Sequence, residues 1–291
     1  MNRSLEVFTK LYKPYKITKN NNVYIFYTMD GNYAIKLNTK IDYKKLYDYL
    51  LIRNFSYIPL LIQDSREDVL VCRYEEDFSI PSEQKALDLV NLVTLLHAKT
   101  CYYKRITNDT YKEIYECIFN NLKYAENYYN ELFLEYLNEE YNSPSHYLLL
   151  RNFTLINNAI NFSLVKLDEW FNLIKDKEKQ RVVLVHNNIR LEHMIKNNEE
   201  YLISWDSCKI DTPVLDLYKF YLNEWENVSF KEVLELYNNQ FELLDEEKML
   251  FYVLISIPFE VSMNGEEIFV CRNLKRLINF LNSSSKIIES F

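Results

Sequence analysis

The chain has 291 residues, of which 48% are apolar and 15% aromatic, enough to fill one large core or two smaller ones. This composition excludes a chain that is disordered throughout. The net charge of −8 excludes a general nucleic-acid binder, because neutralising phosphates requires a basic surface.

The sequence shows no signal peptide, no membrane-spanning segment and no disulfide pattern. The start of the chain, Met1 to Lys10, has charges at Arg3, Glu6 and Lys10 and no apolar segment, so we expect no signal peptide. The longest apolar run, near 249–259, is too short to span a bilayer. The five cysteines are scattered and include no CxxC pair, which argues against a zinc ribbon and a disulfide framework. We therefore expect a cytoplasmic protein without a membrane span.

The first third of the sequence predicts strands and one helix. Asn22 to Thr28 is β-branched and aromatic, Asp30-Gly31 is a strong two-residue hairpin signal, and Asn32 to Leu37 returns as the partner strand. Apolar residues in 41–53 recur at helical spacing, and 68–73 is a further short strand. This order predicts an antiparallel sheet with one helix laid on it.

The remainder predicts mostly helix. Helical patterns cover about 82–97, 110–141 and 153–175, with a clear break at 142–145, and three more helices fill 225–288. Two short strands are predicted at 181–186 and 201–204. Thr212-Pro213 is a good helix start, with Thr as the N-cap and Pro at the first helical position.

Polar residues concentrate around these two late strands. The first strand runs into His186-Asn187-Asn188-Ile189-Arg190-Leu191-Glu192-His193, and the second runs into Ser204-Trp205-Asp206. The segment Asp211-Thr212-Pro213-Val214-Leu215-Asp216-Leu217 follows. Two short strands that end in polar loops are typical of a site for chemistry.

In this order the segments resemble the aminoglycoside phosphotransferase and choline kinase superfamily, and its spore-coat kinase-like branch in particular. The family carries H-G-D-L-x-x-x-N-[IV]-L, then [LI]-I-D-[WF]-[DE], then P-x-x-D-L. This chain carries HNNIRLEHMI, LISWD and PVLDL. Upstream, the hairpin, YAIKL, Ile58-Pro59 and Leu95-Leu96-His97 agree with the family in order.

The resemblance implies a two-lobed, protein-kinase-like α+β fold. A small antiparallel β lobe would cover 1–74, and a larger helical lobe would cover 75–291 with a catalytic-loop-like segment at 182–217. It also implies ATP and Mg²⁺ as cofactors and a small hydroxyl compound as substrate. Lys36 would grip the nucleotide phosphates, and Asp216 would be a structural aspartate.

Three positions depart from the family pattern. Asn188 stands where the family has the aspartate that orients the substrate hydroxyl, and an amide cannot accept a proton at neutral pH. His193 and Ser204 replace the two metal-binding residues, whereas Mg²⁺ prefers oxygen ligands and carboxylates above all. Asp206 survives at the family's second acidic position.

The nucleotide side departs as well. The predicted helix 41–53 has no Glu to pair with Lys36. Thr18 to Asn22 stands where the family has a glycine-bearing loop, and only two glycines occur in the chain, so any phosphate-binding loop must form without glycine.

Several interpretations stay open. His186 either donates a hydrogen bond that shapes the loop or takes part in catalysis, and His186, His193 and Asp206 could together hold a zinc-like metal in a hydrolase. Glu75-Glu76-Asp77 is either a solvated face of the interlobe hinge or the border of a nucleotide site.

The leading hypothesis is a pseudokinase or strongly impaired kinase that acts by binding a small molecule or a protein partner. Such a protein could bind ATP and Mg²⁺, or neither of them. The alternative is an active small-molecule kinase with Asp206 as its metal ligand.

Overall fold

The computed structural model describes residues 3–63, 65 and 68–290. Met1 and Asn2, part of the charged start considered above, lie outside the described residues. The chain packs as two compact units, one formed by residues 1–101 and 184–209 and the other by residues 102–183 and 210–291. The division into lobes at residue 74 stays a prediction.

The first unit contains both helices and strands, and helices dominate the second. In chain order they are α1 (Arg3–Tyr12), β1 (Lys16–Asn20), β2 (Val23–Thr28), β3 (Gly31–Leu37), α2 (Tyr43–Ile52), β4 (Val69–Arg73), α3 (Ser82–Thr100), β5 (Tyr102–Arg105), α4 (Asn108–Leu137), α5 (Pro144–Ile174), β6 (Lys179–Val185), β7 (Met194–Lys196), β8 (Glu200–Leu202), β9 (Lys209–Asp211), α6 (Val214–Glu224), α7 (Phe230–Gln240), α8 (Asp245–Ser256) and α9 (Glu267–Ser290). Single turns of 3₁₀ helix cover Leu191–His193 and Trp205–Ser207. The predicted α+β class, with a small antiparallel sheet and a larger helical part, is confirmed.

Strands β1 to β4 form an antiparallel sheet in sequence order. One face of the sheet carries Phe26, Ile35 and Val71, which are completely buried against Leu5 and Phe8 of α1. The alternation of apolar side chains in β2 and β3 thus builds the core through which the sheet packs against α1.

The hairpin turn lies one residue earlier than predicted. Thr28 pairs with Gly31, so Met29 and Asp30 form the turn and Gly31 opens β3. The hydroxyl of Thr28 accepts a hydrogen bond from the Asp30 amide at 3.2 Å and donates one to the Gly31 carbonyl at 2.7 Å. Gly31 has φ = 135°, which a residue with a side chain rarely adopts, so its role is to let the returning strand start immediately.

The second unit is built on two long helices, α4 and α5. Helix α5 begins at Pro144, nine residues before the predicted start, because Ser143 caps it by accepting a hydrogen bond from the His146 amide at 3.3 Å. Its buried side chains include Leu149, Ile156 and Ile160 at helical spacing. The break predicted at 142–145 is therefore real, and the helix starts at the break itself.

The three helices expected after residue 225 are present as α7, α8 and α9. Helix α6 begins at Val214, so Pro213 occupies the N-cap position predicted for Thr212, a one-residue difference that is normal for helix ends. No helix among the described residues is long and apolar enough to cross a membrane.

Candidate functional site

Most of the predicted catalytic segment 182–217 lies in the first unit, which includes its residues 184–209. His186 follows the last residue of β6 and opens the polar loop, and a 3₁₀ turn at 191–193 closes that loop. Strand β8 ends at Leu202 and is followed by Ile203, Ser204 and the 3₁₀ turn that contains Asp206. The sequence therefore places both polar loops at strand ends, as expected.

His186 connects the two loops. Its side chain is fully buried, and Nε2–H donates a 2.7 Å hydrogen bond to the Ile203 carbonyl. The imidazole also packs edge-on against Trp205, with ring centroids 4.9 Å apart. These contacts agree with the interpretation of His186 as a residue that shapes the loop.

Two residues of the loops have left-handed backbone. Asn187, at the family's glycine position, has φ = 59°, and Ser204, at the family's metal-binding aspartate, has φ = 67°. Asn adopts this region more readily than most residues, which explains how the loop forms without glycine. The Asn187 side chain further donates a 3.2 Å hydrogen bond to the Ser207 carbonyl.

Asp206 is bound by two side chains from the sheet and helix of the same unit. Lys36 Nζ, on β3, forms an ion pair with Oδ2, and Tyr43 Oη, on α2, donates a 2.9 Å hydrogen bond to Oδ1. The Lys36 side chain is 20% exposed and that of Asp206 is 35% exposed. Both carboxylate oxygens of the surviving acid are therefore engaged.

Burial, followed by the neighbouring Asp206 carboxylate, raises the pKa of Tyr43 far above its usual range, so the phenol stays a hydrogen-bond donor. No signal in the sequence pointed to Tyr43, since nothing distinguishes it from the other tyrosines of the chain. In the family, an acid on this helix pairs with the lysine. Here α2 has no such acid, and its Tyr43 donates a hydrogen bond to Asp206, the partner of Lys36.

His193 is held in the neutral form. Its Nδ1–H donates a 2.6 Å hydrogen bond to the Asn188 carbonyl, which leaves Nε2 as the unprotonated nitrogen. Burial of the ring lowers the pKa of His193 and outweighs the opposing effects of the Asn188 carbonyl and Glu192. Nε2 lies 3.8 Å from Glu192 Oε1, so its surroundings include one carboxylate.

The three residues considered as a zinc-like set are not assembled as one. Across residues 3–63, 65 and 68–290, no three His, Cys, Asp or Glu side chains are grouped closely enough to hold a metal ion. The Nε2 atom of His186 is committed to the Ile203 carbonyl, and both oxygens of Asp206 are bound. The donor set therefore does not fit a metal centre built from protein ligands alone.

The acidic run Glu75-Glu76-Asp77, for which a solvated face was one of two interpretations, forms hydrogen bonds with the segment that links β7 and β8. Asp77 Oδ1 accepts a 2.9 Å hydrogen bond from the Lys196 amide, and the Phe78 amide donates to the Lys196 carbonyl at 2.8 Å. Asn197 donates from its side chain to Glu75 Oε2 and to the Glu76 carbonyl, both at 3.3 Å. The turn between β7 and β8 thus fixes the acidic run in place.

Asp216, the predicted structural aspartate, is buried in the first turn of α6 in the second unit.

Comparisons with solved structures show the fold. An aminoglycoside phosphotransferase from Alicyclobacillus acidocaldarius subsp. acidocaldarius DSM 446 matches with a TM-score of 0.66 and 9% identity over 95% of this chain and 93% of that one. A spectinomycin phosphotransferase in complex with AMP matches with a TM-score of 0.54 and 13% identity over 99% and 93%. The same enzyme with ADP and spectinomycin gives 0.53 and 13% over 98% of both chains.

No protein-family model matches the sequence, and no curated protein matches it significantly. The structural likenesses nevertheless cover nearly the whole chain, so the kinase-like fold expected from the motif order is confirmed. Assignment to the spore-coat branch stays a prediction.

Proposed function

We propose that this protein, which has the fold of aminoglycoside phosphotransferases, is a pseudokinase or strongly impaired kinase that acts by binding a ligand or a protein partner. The observation that carries the proposal is the engagement of Asp206 by Lys36 and Tyr43. The two charged groups that the chain shares with the family's reaction centre neutralise each other.

A magnesium ion does not fit these residues well. Mg²⁺ usually binds proteins through one or two carboxylates together with substrate phosphates. Here the candidate carboxylate must first release both an ammonium group and a phenol, and His193 and Ser204 supply no further carboxylate. Phosphoryl transfer depends mainly on positioning and on neutralising charge, so weak metal binding removes most of the catalysis.

Proton transfer is impaired independently. Asn188 stands at the position of the family's hydroxyl-orienting aspartate, and its side-chain amide cannot accept a proton at neutral pH. Loss of a positioned base costs on the order of 10²–10⁴ in rate. The two defects concern different steps, and together they favour binding over turnover.

The helical unit offers a place for a small ligand. A cavity of about 420 Å³ is lined by α4 and by the segment after α8. Tyr124 donates to Glu260 Oε2 at 2.9 Å, Tyr129 donates to the Phe259 carbonyl at 2.7 Å, and Tyr128 donates to the Val261 carbonyl at 2.8 Å. Because these hydroxyls hold the 259–261 segment against α4, the cavity wall is fixed before any ligand arrives.

Two measurements on the purified chain test the proposal. ATP consumption is followed with Mg²⁺ over a panel of amino alcohols and sugars, and thermal shift is recorded with ATP, with ATP and Mg²⁺, and with each panel compound. We expect no ATP consumption above background. We also expect any rise in melting temperature caused by ATP or by a panel compound to be the same without Mg²⁺. Robust turnover that disappears in Lys36→Ala, but persists in the matched exposed-lysine variant Lys44→Ala, would overturn the proposal.

The alternative is an active small-molecule kinase, in which Lys36 and Asp206, the two charged groups that the chain shares with the family's reaction centre, keep their family roles although they pair with each other in this structure. In that mechanism a nucleotide draws Lys36 away and Asp206 becomes the principal metal ligand. Asp206→Asn should then abolish turnover, and a variant that keeps full turnover rules out this mechanism.

A further inference from the structure

The outer surface of α1 and β1 combines exposed apolar side chains with lysines. Leu5 and Phe8 of α1 are buried against the sheet, whereas Val7 is 52% exposed and Leu11 is 56% exposed on the outer side of the same helix. A helix that is apolar on both sides normally has both sides covered. We call the exposed side chains of the segment from α1 through β1 the lysine patch, defined by Val7, Lys10, Leu11, Lys13, Ile17 and Lys19.

The lysine patch is basic in an acidic protein. From Val7 to Met29 the sequence has four lysines and no Asp or Glu, although the whole chain carries −8. Among the described residues, none of Lys10, Lys13 and Lys19 forms an ion pair, so their charge is available to a partner. The partner of this patch should therefore be acidic and partly apolar.

The helical unit carries a surface with these properties. From Tyr124 to Leu150 the sequence has five Glu and no Lys or Arg. In this stretch Leu134 and Leu137 are each 59% exposed and Tyr141 is 86% exposed. We call this surface the glutamate patch, defined by Glu131, Leu134, Glu135, Leu137, Glu140 and Tyr141.

The two patches are built alike with opposite charge. On α1, Val7, Lys10 and Leu11 follow the i, i+3, i+4 spacing that puts side chains on one helix face, and on α4, Glu131, Leu134 and Glu135 follow the same spacing. Glu131, Glu135 and Glu140 are exposed, and in the described part of the chain none of them is in an ion pair. Glu139 is different, because it contacts His146 Nδ1 at 2.7 Å.

We propose that copies of this chain associate with one another, the lysine patch of one copy binding the glutamate patch of another. This contact covers apolar side chains that are otherwise exposed and pairs charges of opposite sign. It joins two different surfaces, so it is a heterologous interface. The inference goes beyond the proposed function and does not depend on it, since no residue of either patch belongs to the Lys36, Tyr43 and Asp206 network.

Charge reversal tests the pairing. One variant carries Lys10→Glu, Lys13→Glu and Lys19→Glu, a second carries Glu131→Lys, Glu135→Lys and Glu140→Lys, and a third carries all six changes. Sedimentation velocity is recorded for each over a range of protein concentrations, at about 20 mM and about 500 mM salt, because ions screen exposed charges. Circular dichroism melts check that each variant folds.

The native chain should self-associate at low salt and dissociate at high salt. Each triple variant alone should associate on the order of tenfold more weakly or worse, since like charges then face each other. An equimolar mixture of the two triple variants, and the six-fold variant alone, should recover association. A matched control with Lys44→Glu and Lys231→Glu, both outside the patches, should behave like the native chain.

Three results would overturn the inference. The first is a native chain that stays monomeric at every concentration and salt. The second is a triple variant that folds and associates as strongly as the native chain. The third is a monomeric native chain that sediments with vesicles of anionic lipid through its lysines, because the occupant of the lysine patch would then be a membrane surface.

Discussion

Tyr43 Oη lies 2.9 Å from Asp206 Oδ1, and this hydrogen bond joins residues 163 positions apart in the sequence. On the other carboxylate oxygen, Lys36 forms an ion pair. The family resemblance implies an acid on α2 that pairs with Lys36. Helix α2 instead supplies Tyr43, which donates a hydrogen bond to Asp206. The lysine and the surviving acid are each other's partner, and the phenol holds the acid in that position.

Replacement of Tyr43 by Phe removes the hydrogen bond and keeps the ring. We expect a loss of about 1.5–3 kcal/mol in the free energy of unfolding, the usual net value of a hydrogen bond to a charged group. Urea unfolding measures it. Tyr47→Phe, one helical turn away on α2 and also buried, is the matched control and should change less. Equal losses in the two variants would mean that the contact with Asp206 adds nothing to stability.

His193 should make the protein less stable in acid. Burial lowers its pKa in the folded state, so the unfolded chain binds the proton more readily below the ordinary pKa of about 6.5. The stability that comes from neutral His193 is complete above that pH and is lost as pH falls toward the folded-state pKa. We expect His193→Asn to flatten the fall in unfolding free energy as the pH drops below about 6.5. A slope identical to that of the native chain would contradict the assignment.

His186 should matter for stability whether or not the protein turns over ATP. Its Nε2–H satisfies the Ile203 carbonyl, and the side chain is fully buried. His186→Phe keeps a ring but leaves that carbonyl without its donor, at a cost of about 1–3 kcal/mol. Denaturant unfolding of the apo protein measures the loss. Unchanged stability would assign His186 a role other than shaping the loop.

Local chemistry explains which parts of the fold were predictable. Strands β2, β3 and β4 follow from β-branched and aromatic residues flanked by turn signals. Helix α5 was predicted to begin nine residues too late, because Ser143 and Pro144 were assigned to the break and not to the cap and first turn of the helix. Strand β1 was missed as a strand because its residues, Lys16 to Asn20, are nearly all exposed and show no alternation of apolar and polar side chains.

The site was predictable only in part, for a different reason. Motif order located Lys36 and Asp206 as candidates, and the fold brings them into contact. Tyr43 could not be found, because its role depends on how α2 packs within the unit and no local pattern encodes that packing. The acidic run 75–77 was ambiguous for the same reason, since one partner of Asp77, the Lys196 amide at the end of β7, lies 119 positions away.

Restoring the three family residues together tests whether their replacement is what disables the site. Asn188→Asp, His193→Asn and Ser204→Asp return a proton acceptor and oxygen ligands, and the left-handed backbone at residue 204, with φ = 67°, accommodates Asp at least as well as Ser. We expect Mg²⁺-dependent binding of ATP to appear, and any residual turnover to rise on the order of 10²–10⁴. Nucleotide titrations with and without Mg²⁺ measure the first effect, and ATP consumption measures the second. Adding Asp206→Asn to the triple variant should cancel the gain, because Asp206 is the surviving acid on which the restored ligands depend. If the folded triple variant gains neither, the replacements at these three positions do not account for the loss of phosphoryl transfer that we propose.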